Sequence, residues 1–286
     1  LICTSSTIYP NGKDYHFASC DGDCTQAGGW TVTYLLSSHG TASVDFQDDE
    51  MAQRSFALDP AGRPRFVYFD RNTIVEPDHL GAFYAFCDSE CTKQTSWQQV
   101  RITVVIPTPF RMESISYPAL AFTPDGKPRL VTAEFFPLND GEAMLTYFEC
   151  NDACGESENW HKVSLQPRGF GSEPSADLAI DTNGRPRIAF YQEAMLDNQG
   201  KQLFYLWCND NCLEAASWQT RDLGLNTLDG QEPDLELDNG GRPRIAYADW
   251  DSGGLGRSLG HSLCSSPGAE RGNTKHRIRP GLPTAR

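Results

Sequence analysis

The stretch Cys208-Asn209-Asp210-Asn211-Cys212-Leu213-Glu214-Ala215-Ala216-Ser217-Trp218 decides how this chain is read, because its frame occurs four times. Cys, three residues, Cys, five residues, Trp also stands at Cys20/Cys24/Trp30, Cys87/Cys91/Trp97 and Cys150/Cys154/Trp160, with no slip in spacing. The chain is therefore a repeat protein, and its architecture follows from what one repeat contains.

Working outward, a second signature precedes three of the cysteine pairs and recurs after the last. It runs Leu58 to Arg65, Phe122 to Arg129, Ile180 to Arg187 and Leu237 to Arg244, each with a Gly, a basic residue, Pro and Arg in order. Apolar residues alternate before the glycine (Phe56/Leu58, Leu120/Phe122, Leu178/Ile180, Leu235/Leu237) and after it (Phe66/Tyr68, Ile188/Phe190, Ile245/Tyr247). Period two on both sides of such a turn predicts a β-hairpin, with Gly62, Gly126, Gly184 and Gly241 at positive φ. The intervening Val67, Val131, Ala189 and Ala246 are apolar too, so this second strand is expected to be buried on both faces.

A third strand is predicted to end at each first cysteine (Tyr15–Ser19, Phe83–Phe86, Leu145–Glu149, Leu203–Trp207), and a fourth to begin at each Trp. Four short strands per repeat of about 60 residues, with no sustained helical period, is the pattern of a propeller blade. The expected fold is all-β: a disulfide-clipped β-propeller of about five four-stranded blades, two of them incomplete, over residues 1–264. The repeats are 1–36, 53–103, 117–165, 175–222 and 232–264. The first should hold only a third and a fourth strand. The last should hold a hairpin and a third strand, Ser258 to Cys264, with Gly268 where a second cysteine would fall. Residues 265–286 read as a basic irregular tail carrying Arg271, Lys275, Arg277, Arg279 and Arg286.

Eight cysteines in identical local pairs imply disulfides and an oxidising compartment, so the chain reads as secreted, extracellular or periplasmic. Zinc knuckles use a different spacing and converge on one ion, which pairs on separate blades cannot do. Cys3 and Cys264 remain, and could tie the two ends together. No run of residues is apolar enough for a membrane span. A net charge of −14 excludes the basic footprint that nucleic acid requires. A monomer is expected.

The combined motif, Leu-x-Leu-Asp-x-x-Gly-Arg-Pro-Arg followed by Cys-x3-Cys and Trp, resembles secreted bacterial β-propeller repeat proteins. Their wider likeness is to sialidase-like and fucose-lectin-like propellers, over residues 12–264. The resemblance implies an extracellular propeller and suggests glycan binding. The sialidase box Ser-x-Asp-x-Gly-x-x-Trp is absent, a departure that weighs against a sialidase.

Propeller ligands sit where loops enter first strands and leave second strands. Counting eight residues past each repeat glycine lands on Asp70, Glu134, Gln192 and Asp249, with Trp250 beside the last in a Gly-rich stretch. Asp48, Asp49, Glu50, Glu113, Glu173 and Glu232 stand at the entries to first strands. Crowded carboxylates need a cation, a sugar hydroxyl or protons, and an aromatic ring beside them suits a sugar face. The ligand-binding set is thus Asp70, Glu134, Gln192, Asp249 and Trp250, the ligand a glycan or an extracellular protein. No cofactor is expected; the one alternative is calcium at Asp249-x-Asp251-x-Gly253, which lacks the other ligands of a calcium loop. The alternatives are a propeller-type glycoside hydrolase using two carboxylates of this ring, and a purely structural or protein-interaction module. On the opposite face, Asp59, Asp181 and Asp238 are expected to bond the repeat arginines within their own turns. The repeated Trp residues are expected to be blade core.

Overall fold

Each alternating segment becomes a strand and each Asp-x-x-Gly a reversal, so the chain folds as a series of antiparallel sheets. A computed structural model describes residues 2–6, 13–38, 54–71, 80–102, 114–136, 142–170, 175–193, 201–223, 229–250 and 257–263. Blade one holds β1 (Ile2–Ser6), β2 (Lys13–Cys20) and β3 (Trp30–Ser38). Blade two holds β4 (Phe56–Leu58), β5 (Pro64–Arg71), β6 (Leu80–Cys87) and β7 (Trp97–Arg101). Blade three holds β8 (Ser114–Phe122), β9 (Pro128–Phe136), β10 (Glu142–Cys150) and β11 (Trp160–Phe170). Blade four holds β12 (Ser175–Ile180), β13 (Pro186–Glu193), β14 (Lys201–Cys208) and β15 (Trp218–Asp222). Blade five holds β16 (Asp229–Leu237), β17 (Pro243–Trp250) and β18 (Arg257–Leu263). Strand order within every sheet follows chain order. The architecture is a β-propeller of five blades, two of them three-stranded among the described residues.

Two expectations about the strands need correction. Blade one has three strands, because Ile2–Ser6 pairs antiparallel with β2 where only a third and a fourth strand were expected. Trp250 ends a strand instead of lying on a loop, since β17 runs through it and pairs it with Arg257.

First strands pack on one another, β4 on β8, β8 on β12 and β12 on β16, which makes them the innermost. Apolar clusters fill the gaps between consecutive blades: Phe17 and Leu35 meet Phe66 and Tyr68, and Val67 and Tyr84 meet Leu120 and Phe148. Val131 and Tyr147 meet Leu178 and Phe190, and Ala189 and Tyr191 meet Leu235 and Ile245. Adjacent residues of one second strand, Phe66 and Val67, thus face different neighbours. This is why the strand is apolar on both faces. Within β8 and β16 the ladder slips beside Pro118 and Pro233, which have no N–H to donate.

The turn glycines adopt positive φ, 75° at Gly62, 87° at Gly126, 78° at Gly184 and 70° at Gly241. The Gly62 N–H donates to the Asp59 carbonyl at 2.8 Å and the Asp59 N–H to Arg63 at 3.0 Å, closing a bulged hairpin turn. Asp59, Asp181 and Asp238 bond their repeat arginines, as expected: Asp181 Oδ2 lies 2.8 Å from Arg187 Nη2 and Asp238 Oδ2 2.6 Å from Arg244 Nη2. In blade three Thr123 replaces the aspartate, and its Oγ1 accepts the Lys127 N–H at 2.9 Å.

The arginines do more than brace a turn. Nη1 of Arg65, Arg129 and Arg187 donates to the carbonyl of the first cysteine in each clip, Cys87, Cys150 and Cys208. The four Cys-x3-Cys pairs are disulfides (Cys20–Cys24, Cys87–Cys91, Cys150–Cys154, Cys208–Cys212), each with Cα atoms 5.7 Å apart. The Trp indole N–H caps each clip by donating to its second cysteine's carbonyl at 2.8–3.0 Å. The rings of Trp97, Trp160 and Trp218 rest on the preceding blade, against Phe17, Tyr84 and Tyr147. Trp30 departs from the expectation of a core residue, being 40% exposed.

A disulfide this local constrains little chain, so replacing Cys208 and Cys212 by Ser should cost about 2 kcal/mol. Urea unfolding checks this, and a loss well above that value would mean the bridge does more than close its turn.

Candidate functional site

The innermost strands bring one repeat position to the axis, seven residues before each turn glycine: Ser55, Ala119, Asp177 and Asp234. Two blades place a small residue there and two place an aspartate. Asp177 is 8% exposed. Its Oδ2 accepts the Leu235 N–H at 2.5 Å, tying β12 to β16. Arg54, just ahead of β4, brings Nη1 to 2.7 Å from the same oxygen and Nη2 to 3.6 Å from Asp234 Oδ1. Nη1 is buried without an aligned hydrogen bond, so its contact with Asp177 is one of charge alone. The Leu120 N–H donates to the Arg54 carbonyl at 3.0 Å. One residue thereby touches first strands of blades three, four and five.

Burial pushes the Asp177 carboxyl up to about 6, against the opposing pull of Arg54 and of the Leu235 and Leu178 N–H groups; the nearby Asp234 adds to the rise. A carboxyl that exchanges its proton near neutral pH, with a second carboxylate beside the same guanidinium, can serve as a proton donor. Through Arg54 it also links the first strands of blades four and five.

Of the five residues expected at the ligand face, four occupy corresponding positions on their second strands. Asp70 pairs with Gly81, Glu134 with Met144, Gln192 with Gln202 and Asp249 with Ser258, each at the far end of a second strand. The side chains of Asp70, Glu134, Asp249 and Trp250 lie outside the described residues, as do those of Glu232 and all of Asp48, Asp49, Glu50, Glu113 and Glu173. Gln192 is described, and it is 2% exposed. Its Oε1 has no hydrogen-bond partner among the described residues. Gln192 sits one residue beyond the Ser175–Tyr191 pair that opens β12, and Asp177 lies opposite Ala189 in the same sheet.

Sequence reading passed over Arg54, Asp177 and Asp234. The signal was present: Asp177 and Asp234 depart from Ser55 and Ala119 at one repeat position. It was masked by Asp234 lying in an acidic stretch, Glu232 to Asp238. Among the described residues no group of three His, Cys, Asp or Glu is placed to hold a metal ion. No helix among them is long and apolar enough to cross a membrane.

No protein-family model and no curated protein sequence matches the chain. Solved structures share its course distantly. An endo-arabinase from Bacteroides thetaiotaomicron aligns with a TM-score of 0.47 and 13% identity, over 93% of this chain and 94% of that one. An alpha-L-arabinofuranosidase from Lactobacillus brevis gives 0.46 and 10%, over 93% and 90%. An exo-beta-1,3-galactanase from Clostridium thermocellum gives 0.41 and 14%, over 92% of this chain and 59% of that one.

Proposed function

We propose that the protein is an extracellular carbohydrate-binding propeller, with its ligand at the end of the ring where β5, β9, β13 and β17 finish. The observation that supports this reading is Gln192, whose amide oxygen is buried with no donor among the described residues. Leaving such an oxygen unpaired costs about 1–3 kcal/mol, which a ligand donor would recover. A sugar hydroxyl is such a donor and also an acceptor. Asp70, Glu134 and Asp249 stand at the same register in the other blades and can accept further hydroxyls. Four local disulfides suit an oxidising, extracellular setting.

A glycan array read with the parent and with Gln192→Leu tests this. Binding to a glycan that weakens about tenfold in the variant is expected, the worth of one hydrogen bond. Replacing Asp249 and Trp250 together by Ala should abolish it. Undiminished binding by both variants would place the ligand elsewhere.

Hydrolysis is the second reading, and the raised carboxyl of Asp177 beside Asp234 favours it. Glycosidases need one protonated and one ionised carboxyl across the scissile bond. A panel of chromogenic glycosides separates the two readings. Turnover that disappears in Asp177→Asn while binding persists would make the protein an enzyme.

A further inference from the structure

The fourth strand of a blade is the outer edge of its sheet, and three of the four such strands carry charge. β7 reads WQQVR, β11 WHKVSLQPRGF and β15 WQTRD. β3 reads WTVTYLLSS, nine residues without one charge. Charged side chains are what keep sheet edges from pairing with other chains, and β3 alone lacks them.

The difference lies on one face. Two and four residues past the Trp stand Gln99 and Arg101, Lys162 and Ser164, Thr220 and Asp222. Most of these are exposed although a preceding blade is present, so a neighbouring blade does not cover these positions. In blade one they are Val32 and Tyr34, 63% and 42% exposed, in line with Trp30. Val32 and Tyr34 beside Trp30, at the two positions that are polar in every other complete clip, make an uncharged row that marks an interaction surface.

We propose that β3 is a dimerisation edge, paired antiparallel with β3 of a second copy about a two-fold axis at Val32. The other face of β3 is already held by blade two: Thr33 Oγ1 donates to the Thr92 carbonyl at 2.8 Å, and Gln94 Nε2 to the Leu35 carbonyl at 2.9 Å. The seam is therefore Trp30–Tyr34. A two-fold axis at its middle residue sets Trp30 opposite Tyr34 of the second copy and Val32 opposite Val32, at both ends alike. Aromatic cross-strand pairs stabilise antiparallel ladders, and an isologous contact needs this kind of self-complementary order. A chain of net charge −14 repels its own copies over most of its surface, and an edge free of acids is where two of them can meet. The proposal does not depend on the carbohydrate reading, and it departs from the monomer expected from sequence.

Sedimentation of the parent, Val32→Lys and Tyr34→Ser from low to high micromolar concentration tests it. Lysine at this position is compatible with the blade, because Lys162 occupies it in blade three, and Ser164 does the same for Tyr34→Ser. The parent is expected to dimerise. Val32→Lys, which sets like charges face to face on the axis, should weaken the dimer about tenfold or more with melting temperature unchanged at dilution. Tyr34→Ser should weaken it in the same direction. A parent that stays monomeric throughout, or variants as dimeric as the parent, would overturn the proposal.

Discussion

Replacing Arg187 by Ala is expected to destabilise the protein by about 3–5 kcal/mol, the range for removing one partner of a buried ion pair. Asp181 would be left in the turn with its Oδ2 stripped of the guanidinium that lies 2.8 Å away. The Cys208 carbonyl would lose its Nη1 donor at 2.7 Å, and Asn209 Oδ1 its Nη2 donor at 3.0 Å. Truncation thus breaks the link between the hairpin turn and the disulfide clip, which the disulfide itself does not span. Arg185, two residues earlier in the same turn, is exposed, and its replacement by Ala should stay within about 0.5 kcal/mol. Urea unfolding of both variants decides it. Equal losses would show that the guanidinium bridge contributes no more than surface charge.

The second large effect is in the pH dependence of stability, and it turns on Asp177. Burial raises its carboxyl to about 6 in the folded protein, above the 3.8 of a free aspartate. Between those values the folded state holds more protons than the unfolded one, so stability is fully present below pH 3.8 and falls as pH rises through about 6. Two pKa units correspond to about 3 kcal/mol. Asp177→Asn cannot ionise, so relative to the parent it should gain stability by about that amount between acid and neutral pH. Taking the difference between the two proteins at each pH removes the other carboxyls. Asp59 and Asp238 run the opposite way. Burial raises Asp59, but the Arg63 and Arg65 contacts outweigh it; Asp238 is lowered chiefly by the Arg242 N–H. Thermal melts of parent and variant from pH 4 to pH 7 are the measurement. A constant gap across that range would mean that Asp177 stays ionised throughout and that Arg54 fully compensates its burial.

Much of this molecule was legible in one dimension. Spacing alone determined the blade, because a disulfide of three intervening residues, a Trp that caps it and a Gly at positive φ are local devices. Period-two alternation located the first and second strands, the cysteine and Trp positions located the third and fourth, and the apolar residues between the alternating ones foretold that Val67 and Phe66 would both be buried. The strand of Ile2–Ser6 escaped notice since it lacks the Gly-Arg-Pro-Arg turn that marks its counterparts, and only its ladder with β2 identifies it.

What spacing could not supply was anything that depends on which blades meet. Arg185 and Arg187 look equivalent in sequence, yet only the second reaches the Cys208 carbonyl, 21 residues away. Asp177 and Arg54 lie more than a hundred residues apart and meet because first strands converge on one axis. That convergence removes water, and the loss of water is what raises the carboxyl. Likewise Val32 reads as one more apolar residue in a strand. Only the position of β3 at the edge of its sheet turns it toward solvent. Local geometry is written in short-range spacing, whereas the protonation of a buried group and the exposure of an edge are set by distant parts of the chain.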